Sequence, residues 1–154
     1  MLFRSKNFPL AQAAIERLRN RGILAELVVA NGLPQTQVVR YINASNALIL
    51  PSISEGSPNI VKETMACNVP VVSTDVGDVS EVIGHTKGCK VCPGDPDALA
   101  TALKEALLHT EPTTGRIDIA HLECSVIASQ VIAVYEQAQR QKAKKHYLLQ
   151  RGGG

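Results

Sequence analysis

Tryptophan is absent from this chain, aromatic residues make up 3% of it, and no apolar run reaches the roughly 20 residues needed to cross a bilayer. Without aromatic rings to stack on, a single-stranded nucleic acid has no platform here. The N-terminal MLFRSK carries no long apolar segment of the signal-peptide kind, so a cytoplasmic chain is expected. Neither sign of charge dominates: 16 Lys and Arg against 14 Asp and Glu leave a formal +2, which names no partner. Cys67, Cys89, Cys92 and Cys124 are too few and too scattered for a disulfide framework and read as reduced thiols. Cys89-Lys-Val-Cys92 has C-x2-C spacing, but no second such pair or spaced His pair follows and the run continues as an apolar strand, so it reads as structural. His85, His109, His121 and His146 show no ligand spacing to one another, and no metal or other cofactor is expected. A G-x-G-x-x-G after a first strand is also missing, which counts against a dinucleotide oxidoreductase.

What is present is enough apolar residue for one core. With 154 residues, 45% hydrophobic and 19% charged, the chain is of a length that buries roughly 68–70% of its unfolded surface. Residues 8–21 place Leu10, Ala14 and Leu18 at helical intervals before Gly22. Residues 24–30 (LAELVVA), 47–50 (ALIL), 69–73 (VPVVS) and 89–92 (CKVC) are short apolar runs that read as strands. Between and after them come helices at 36–43, 59–67 and through Val82-Ile83, then one containing Leu99, Leu103 and Leu107 that Asp95-Pro-Asp-Ala98 caps. Strands alternating with helices make a parallel sheet covered on both faces, a doubly wound α/β fold with its ligand crevice beyond the carboxyl ends of the strands. A long helix over 122–145, with Val126, Ile127, Val131, Val134 and Tyr135 as its stripe, is expected to close a single domain spanning 1–149. Residues 150–154 read as a tail.

The chemistry concentrates after the strand 47–50. Ser57 reads as a natural N-cap and Pro58 as a first-turn residue, while Gly56 permits a close backbone approach. Backbone N–H groups at such a helix start form an anion or sugar-hydroxyl site. At 100° per residue Glu63 falls beside Ile60, Thr64 and Cys67, on the edge of the apolar face. It reads as one half of a salt bridge, as a partly solvated helix edge, or as a crevice carboxylate accepting two ribose hydroxyls.

Residues 46–77 (NALILPSISEGSPNIVKETMACNVPVVSTDVG) closely resemble the nucleotide-binding signature of the group-1, retaining glycosyltransferases built from two Rossmann-like domains. Pro51, Ser52, Glu55, Gly56, Glu63, Met65, Ala66, Pro70, Val71, Val72, Asp75 and Gly77 match it. Asn46, Thr64, Asn68 and Asp78 stand where Asp, Ala, Gly and a second Gly are usual. Lys6-Asn7 resembles the Lys-Gly or Lys-Asn that follows the family's first strand, and Pro93-Gly-Asp-Pro-Asp97 the loop before its penultimate helix.

The resemblance implies one Rossmann-like half of a two-domain glycosyltransferase that moves a sugar from a nucleotide donor such as a UDP- or GDP-sugar with retention of configuration. Glu63 would bind the ribose hydroxyls, and Glu55 with the backbone of Gly56, Ser57, Pro58, Asn59 and Ile60 would hold the donor sugar and diphosphate. Lys6 and Arg4 would neutralise the departing diphosphate in place of a metal, with Glu55 and Lys6 as the residues of the catalytic step and no protein nucleophile. The base pocket would fall near Gly32, Leu33 and Pro34, where the chain is shorter than the family usually is. The acceptor-binding N-terminal domain is expected to be absent, so the chain alone would transfer poorly, and any contact with the inner membrane would belong to that other domain. The alternative is a non-catalytic nucleotide-sugar binding module that docks on a partner through helix 122–145.

Overall fold

The computed structural model describes residues 6–151, with side chains through residue 142. Three short strands, β1 (Leu48–Leu50), β2 (Val71–Thr74) and β3 (Lys90–Cys92), form a parallel sheet in the order β1-β2-β3. Ile49 pairs with Val72, and Ser73 with Val91. All four residues of β2 are buried, as a strand covered on both faces requires.

On one face, Leu10, Ala14, Ile15 and Leu18 of α1 (Phe8–Asn20) pack with Leu99, Ala100, Leu103 and Ala106 of α5 (Pro96–Leu108) over Val72 and Cys92. The alanines of α5 let α1 come close. Outside this cluster lie Val71, which alternation turns away from Val72, together with Val61 and Met65 of α3 (Asn59–Ala66) and Val79 and Ile83 of α4 (Val79–Ile83), all buried. Helices on both faces of a parallel sheet give the α/β architecture expected from the alternation.

The Asp95-Pro-Asp spacing also belongs to two carboxylates that could suggest a metal pair, and the fold uses both otherwise. Asp95 accepts the Ala98 N–H at 2.8 Å as the cap of α5, and Asp97 pairs with Arg21 at 2.8 Å, tying α5 to the end of α1. Cys92 is a buried core residue, and Cys89 Sγ accepts the Val71 N–H at 3.3 Å. Burial pushes both thiols up, so the C-x2-C pair is structural.

The run 24–30 departs from expectation. It has Ile23, Ala25 and Leu27 against the core and Leu24 and Val28 exposed, but it is not a strand. The period-2 burial is there without the ladder, and the Ala25 carbonyl accepts from Arg19 Nε instead. Between it and β1 comes α2 (Gln35–Ala44). After α5 the chain makes α6 (Gly115–Asp118), a helical turn the sequence pattern did not reveal. The described residues fall into two compact units that divide after Ile119. The second holds a 3-10 turn (Ala120–Leu122) and α7 (Cys124–Arg151), so the helix continues through the first two residues of the expected tail.

Candidate functional site

The carboxyl end of β1 runs into the loop 51–58, whose first residues are anchored. Pro51 and Ser52 are buried, and the Thr74 hydroxyl at the end of β2 donates to the Ser52 carbonyl at 2.6 Å. From this base the Ser52 hydroxyl donates to Glu55 Oε1 at 2.7 Å, and Lys6 Nζ reaches the same oxygen at 2.6 Å from 49 residues away. The backbone makes that reach possible at Asn7, whose φ of 48° is left-handed. Asparagine and glycine are the residues that tolerate it, which explains a Lys-Asn or Lys-Gly pair before a helix. Burial alone would raise the Glu55 pKa, but the hydrogen bonds from Lys6 and Ser52 and the Lys6 charge outweigh it and hold the carboxyl below its ordinary value. Glu55 is therefore a fixed carboxylate, its side chain 14% exposed against 52% for Lys6.

The start of α3 differs from the expected cap. Pro58, in extended conformation, occupies the N-cap position and no side chain caps the helix. Ser57 does not serve because its hydroxyl donates to Asp78 Oδ2 at 2.6 Å and accepts from Lys62 Nζ. The Val61 N–H bonds back to the Pro58 carbonyl, leaving the amides of Asn59 and Ile60 as the open donors of the first turn. The expectation for Gly56 is also corrected. A Cβ there would meet nothing within 4 Å, whereas one on Gly77, at φ +56°, would sit 1.9 Å from the Gly56 carbonyl oxygen. The close approach belongs to Gly77. Asp78 N–H donates to that same carbonyl at 3.1 Å, and its own φ of −95° needs no glycine, which is why an aspartate can stand where the signature has a second one.

Glu63 lies on α3 half-buried, with no hydrogen bond or ion pair from its carboxylate among the described residues. The salt-bridge reading therefore has no partner to support it, while the partly solvated helix edge and the crevice carboxylate both fit this burial. Gly32, Leu33 and Pro34 form the turn before α2, with Gly32 at φ +67° and Pro34 at the N-cap. No hydrogen bond among the described residues joins them to the loop 51–58. Arg4 lies outside the described residues. The structure thus brings Lys6, Glu55 and the start of α3 to one rim, and adds Ser52, Lys62 and Asp78 to it. Asp78 was visible in the sequence only as a departure from the signature, and Lys62 gave no signal.

A family model described as "Glycosyl transferases group 1" matches residues 7–109. The chain belongs to the group 1 glycosyltransferases. This glycosyltransferase chain is 41% identical over 76 residues to a protein named for teichuronic acid biosynthesis, a glycosyltransferase of Bacillus subtilis, covering 49% of this chain and 20% of that one. It is 35% identical over 77 residues to the amylovoran biosynthesis glycosyltransferase of Erwinia amylovora, covering 46% and 19%. The chain thus spans about a fifth of the length of these relatives. Among solved structures, a sucrose-phosphate synthase from Thermosynechococcus elongatus shares the fold with a TM-score of 0.65 at 22% identity, over 84% of this chain and 34% of that one. Among the described residues, no helix is long and apolar enough to cross a membrane.

Proposed function

We propose that this chain binds a nucleoside diphosphate sugar and forms the donor half of a hexosyl transfer that retains anomeric configuration. The observation that carries the reading is Glu63, a half-buried carboxylate on the inner edge of α3 without a partner among the described residues. A ribose, with two adjacent hydroxyls, supplies donors that a carboxylate can accept together. The open amides of Asn59 and Ile60 would take diphosphate oxygens, because a helix start presents N–H groups and a positive dipole end. Gly56 leaves room for the donor sugar, and Glu55, immobilised by Ser52 and Lys6, would accept from its hydroxyls.

In this mechanism Lys6 supplies the positive charge that stabilises the leaving diphosphate, as a charge-assisted hydrogen-bond donor, and Arg4 would add to it. The reading uses no metal and no protein nucleophile. The acceptor hydroxyl attacks the face from which the nucleotide leaves, through an oxocarbenium-like state in which the anomeric carbon–phosphate oxygen bond breaks and the hydroxyl proton passes to the departing diphosphate. Acceptor binding and exclusion of water fall to a second domain of the full-length enzyme, which would act in the cytoplasm, at the inner membrane where the acceptor requires it. Gly32, Leu33 and Pro34 are assigned to the base.

Calorimetric titration with UDP and with GDP tests the reading. One of the two should bind, and Glu63→Ala should weaken it by about 1–3 kcal/mol, the cost of losing a charged acceptor. Binding of neither at millimolar concentration, or a Glu63→Ala variant that binds as well as the parent, would overturn the assignment.

A further inference from the structure

Ser57, Lys62 and Asp78 form a closed circuit beside the start of α3. Lys62 Nζ donates to Ser57 Oγ, Ser57 Oγ donates to Asp78 Oδ2, and the Lys62 ammonium lies 3.4 Å from that carboxylate oxygen. Three features make this arrangement unlike an ordinary surface ion pair. A lysine charge is held by a residue at the positive end of a helix, where the dipole disfavours it. The Asp78 Oδ1 oxygen is buried with no hydrogen-bond partner among the described residues. And Ser57, a good cap by residue type, is turned away from the amides next to it.

The alternative conformation is close at hand. Released from Asp78, the Ser57 hydroxyl can accept from the N–H two residues on, that of Asn59, in a local turn, or cap the helix if Pro58 joins it. Either closure would occupy an amide that the proposed donor site needs open. We propose that Asp78 is a positioning residue for the donor diphosphate: by engaging Ser57 it prevents that hydroxyl from capping α3 and keeps the Asn59 and Ile60 amides available to the ligand. This rests on the donor-site reading and adds the device that prepares the site. The position is one where the family signature has glycine. A glycine cannot engage a hydroxyl, so this chain carries a control that such relatives lack.

Two measurements on the whole chain separate the device from the donor site. Amide hydrogen exchange without ligand reads the device directly: Asp78→Ala should slow exchange at Asn59 or Ile60 by about fivefold, the reach of one side-chain cap. Adding Ser57→Ala should return it to the parent rate. Titration with UDP and GDP reads the consequence, with up to about fivefold weaker binding in Asp78→Ala and recovery in the double variant. A merely structural Asp78 would give no recovery. Unchanged exchange in Asp78→Ala, or a double variant no better than the single one, would overturn the proposal while leaving the donor site standing. Slowed and restored exchange in a chain that binds neither nucleotide would keep the Ser57 switch but refute its role in donor binding and the donor-site reading with it.

Discussion

The two ends of α3 are opposites. At its C-terminal end, the N–H groups of Cys67, Asn68 and Val69 fold back onto the carbonyls of Glu63, Thr64 and Met65. Arg116 Nε takes the Ala66 carbonyl at 2.8 Å, and the Arg116 N–H donates to Asn68 Oδ1 at 2.9 Å. At its N-terminal end no side chain caps it, and its nearest hydroxyl is committed elsewhere. One helix therefore has a closed end for stability and an open end on the rim where Lys6 and Glu55 meet. Backbone amides left without a protein partner are taken by water or by a ligand, so the open end of α3 is the one at which the proposed donor site has donors to offer.

The largest effects should come from glycines that hold each end against its neighbour. Gly77→Ala would put a Cβ 1.9 Å from the Gly56 oxygen at a positive φ, and should destabilise the chain by at least about 3 kcal/mol in urea unfolding. At the opposite end Gly115→Ala would bring a Cβ within 2.7 Å of the Met65 carbonyl oxygen, and about 2 kcal/mol is expected. A Gly77→Ala midpoint equal to the parent's would mean the loop 75–78 does not press on the loop 51–58.

Next is Asn68, at φ +57°. Asn68→Ala loses both the residue type that tolerates a left-handed backbone and the acceptor for Arg116, together about 2 kcal/mol. Asn68→Gly keeps the backbone and loses only the hydrogen bond, so it should cost about 1 kcal/mol or less. If both variants cost the same, conformation is not what asparagine contributes there.

These residues also mark where the sequence was readable. The cap at Asp95, the helix stop before Gly22 and the three sheet strands were legible because each depends on neighbours in sequence. Glu63 on the inner edge of α3 followed from helical periodicity alone. Ser57 was misjudged as a cap because its competitor, Asp78, lies 21 residues away, beyond any local rule. The run 24–30 has the apolar alternation of a strand, but alternation reports burial and not a hydrogen-bonding partner. Residues 115–118 form α6 with no apolar period of their own; what positions them is Gly115 against Met65, a tertiary fact. The family resemblance put Lys6 and Glu55 in one site but did not foresee the pair they make, since nothing local links residues so far apart.

That pair gives a smaller effect, carried by pH. Folding lowers the Glu55 pKa, so its stabilisation is complete above the ordinary value of 4.5 and is lost as pH falls through the lowered one. Lys6→Ala should therefore be less stable than the parent at neutral pH, by less than about 1 kcal/mol because Lys6 is half-exposed, and the gap should close in acid. A gap that widens on acidification would show that Lys6 stabilises the fold through something other than Glu55.

Glu63 should have the smallest effect on stability and a large one on binding. Its carboxylate has no partner among the described residues, so Glu63→Gln removes nothing that folding relies on and should shift the urea midpoint by no more than about 0.5 kcal/mol. A residue kept for the fold would behave as Asn68 does, losing stability in proportion to the contacts removed. A residue kept for a ligand loses affinity instead, and glutamine, able to accept through only one oxygen, should lose part of what alanine loses. If Glu63→Gln destabilises the free chain by as much as Asn68→Ala, the carboxylate has a structural partner after all, and the donor site would be left with the open amides of α3, Lys6 and Glu55.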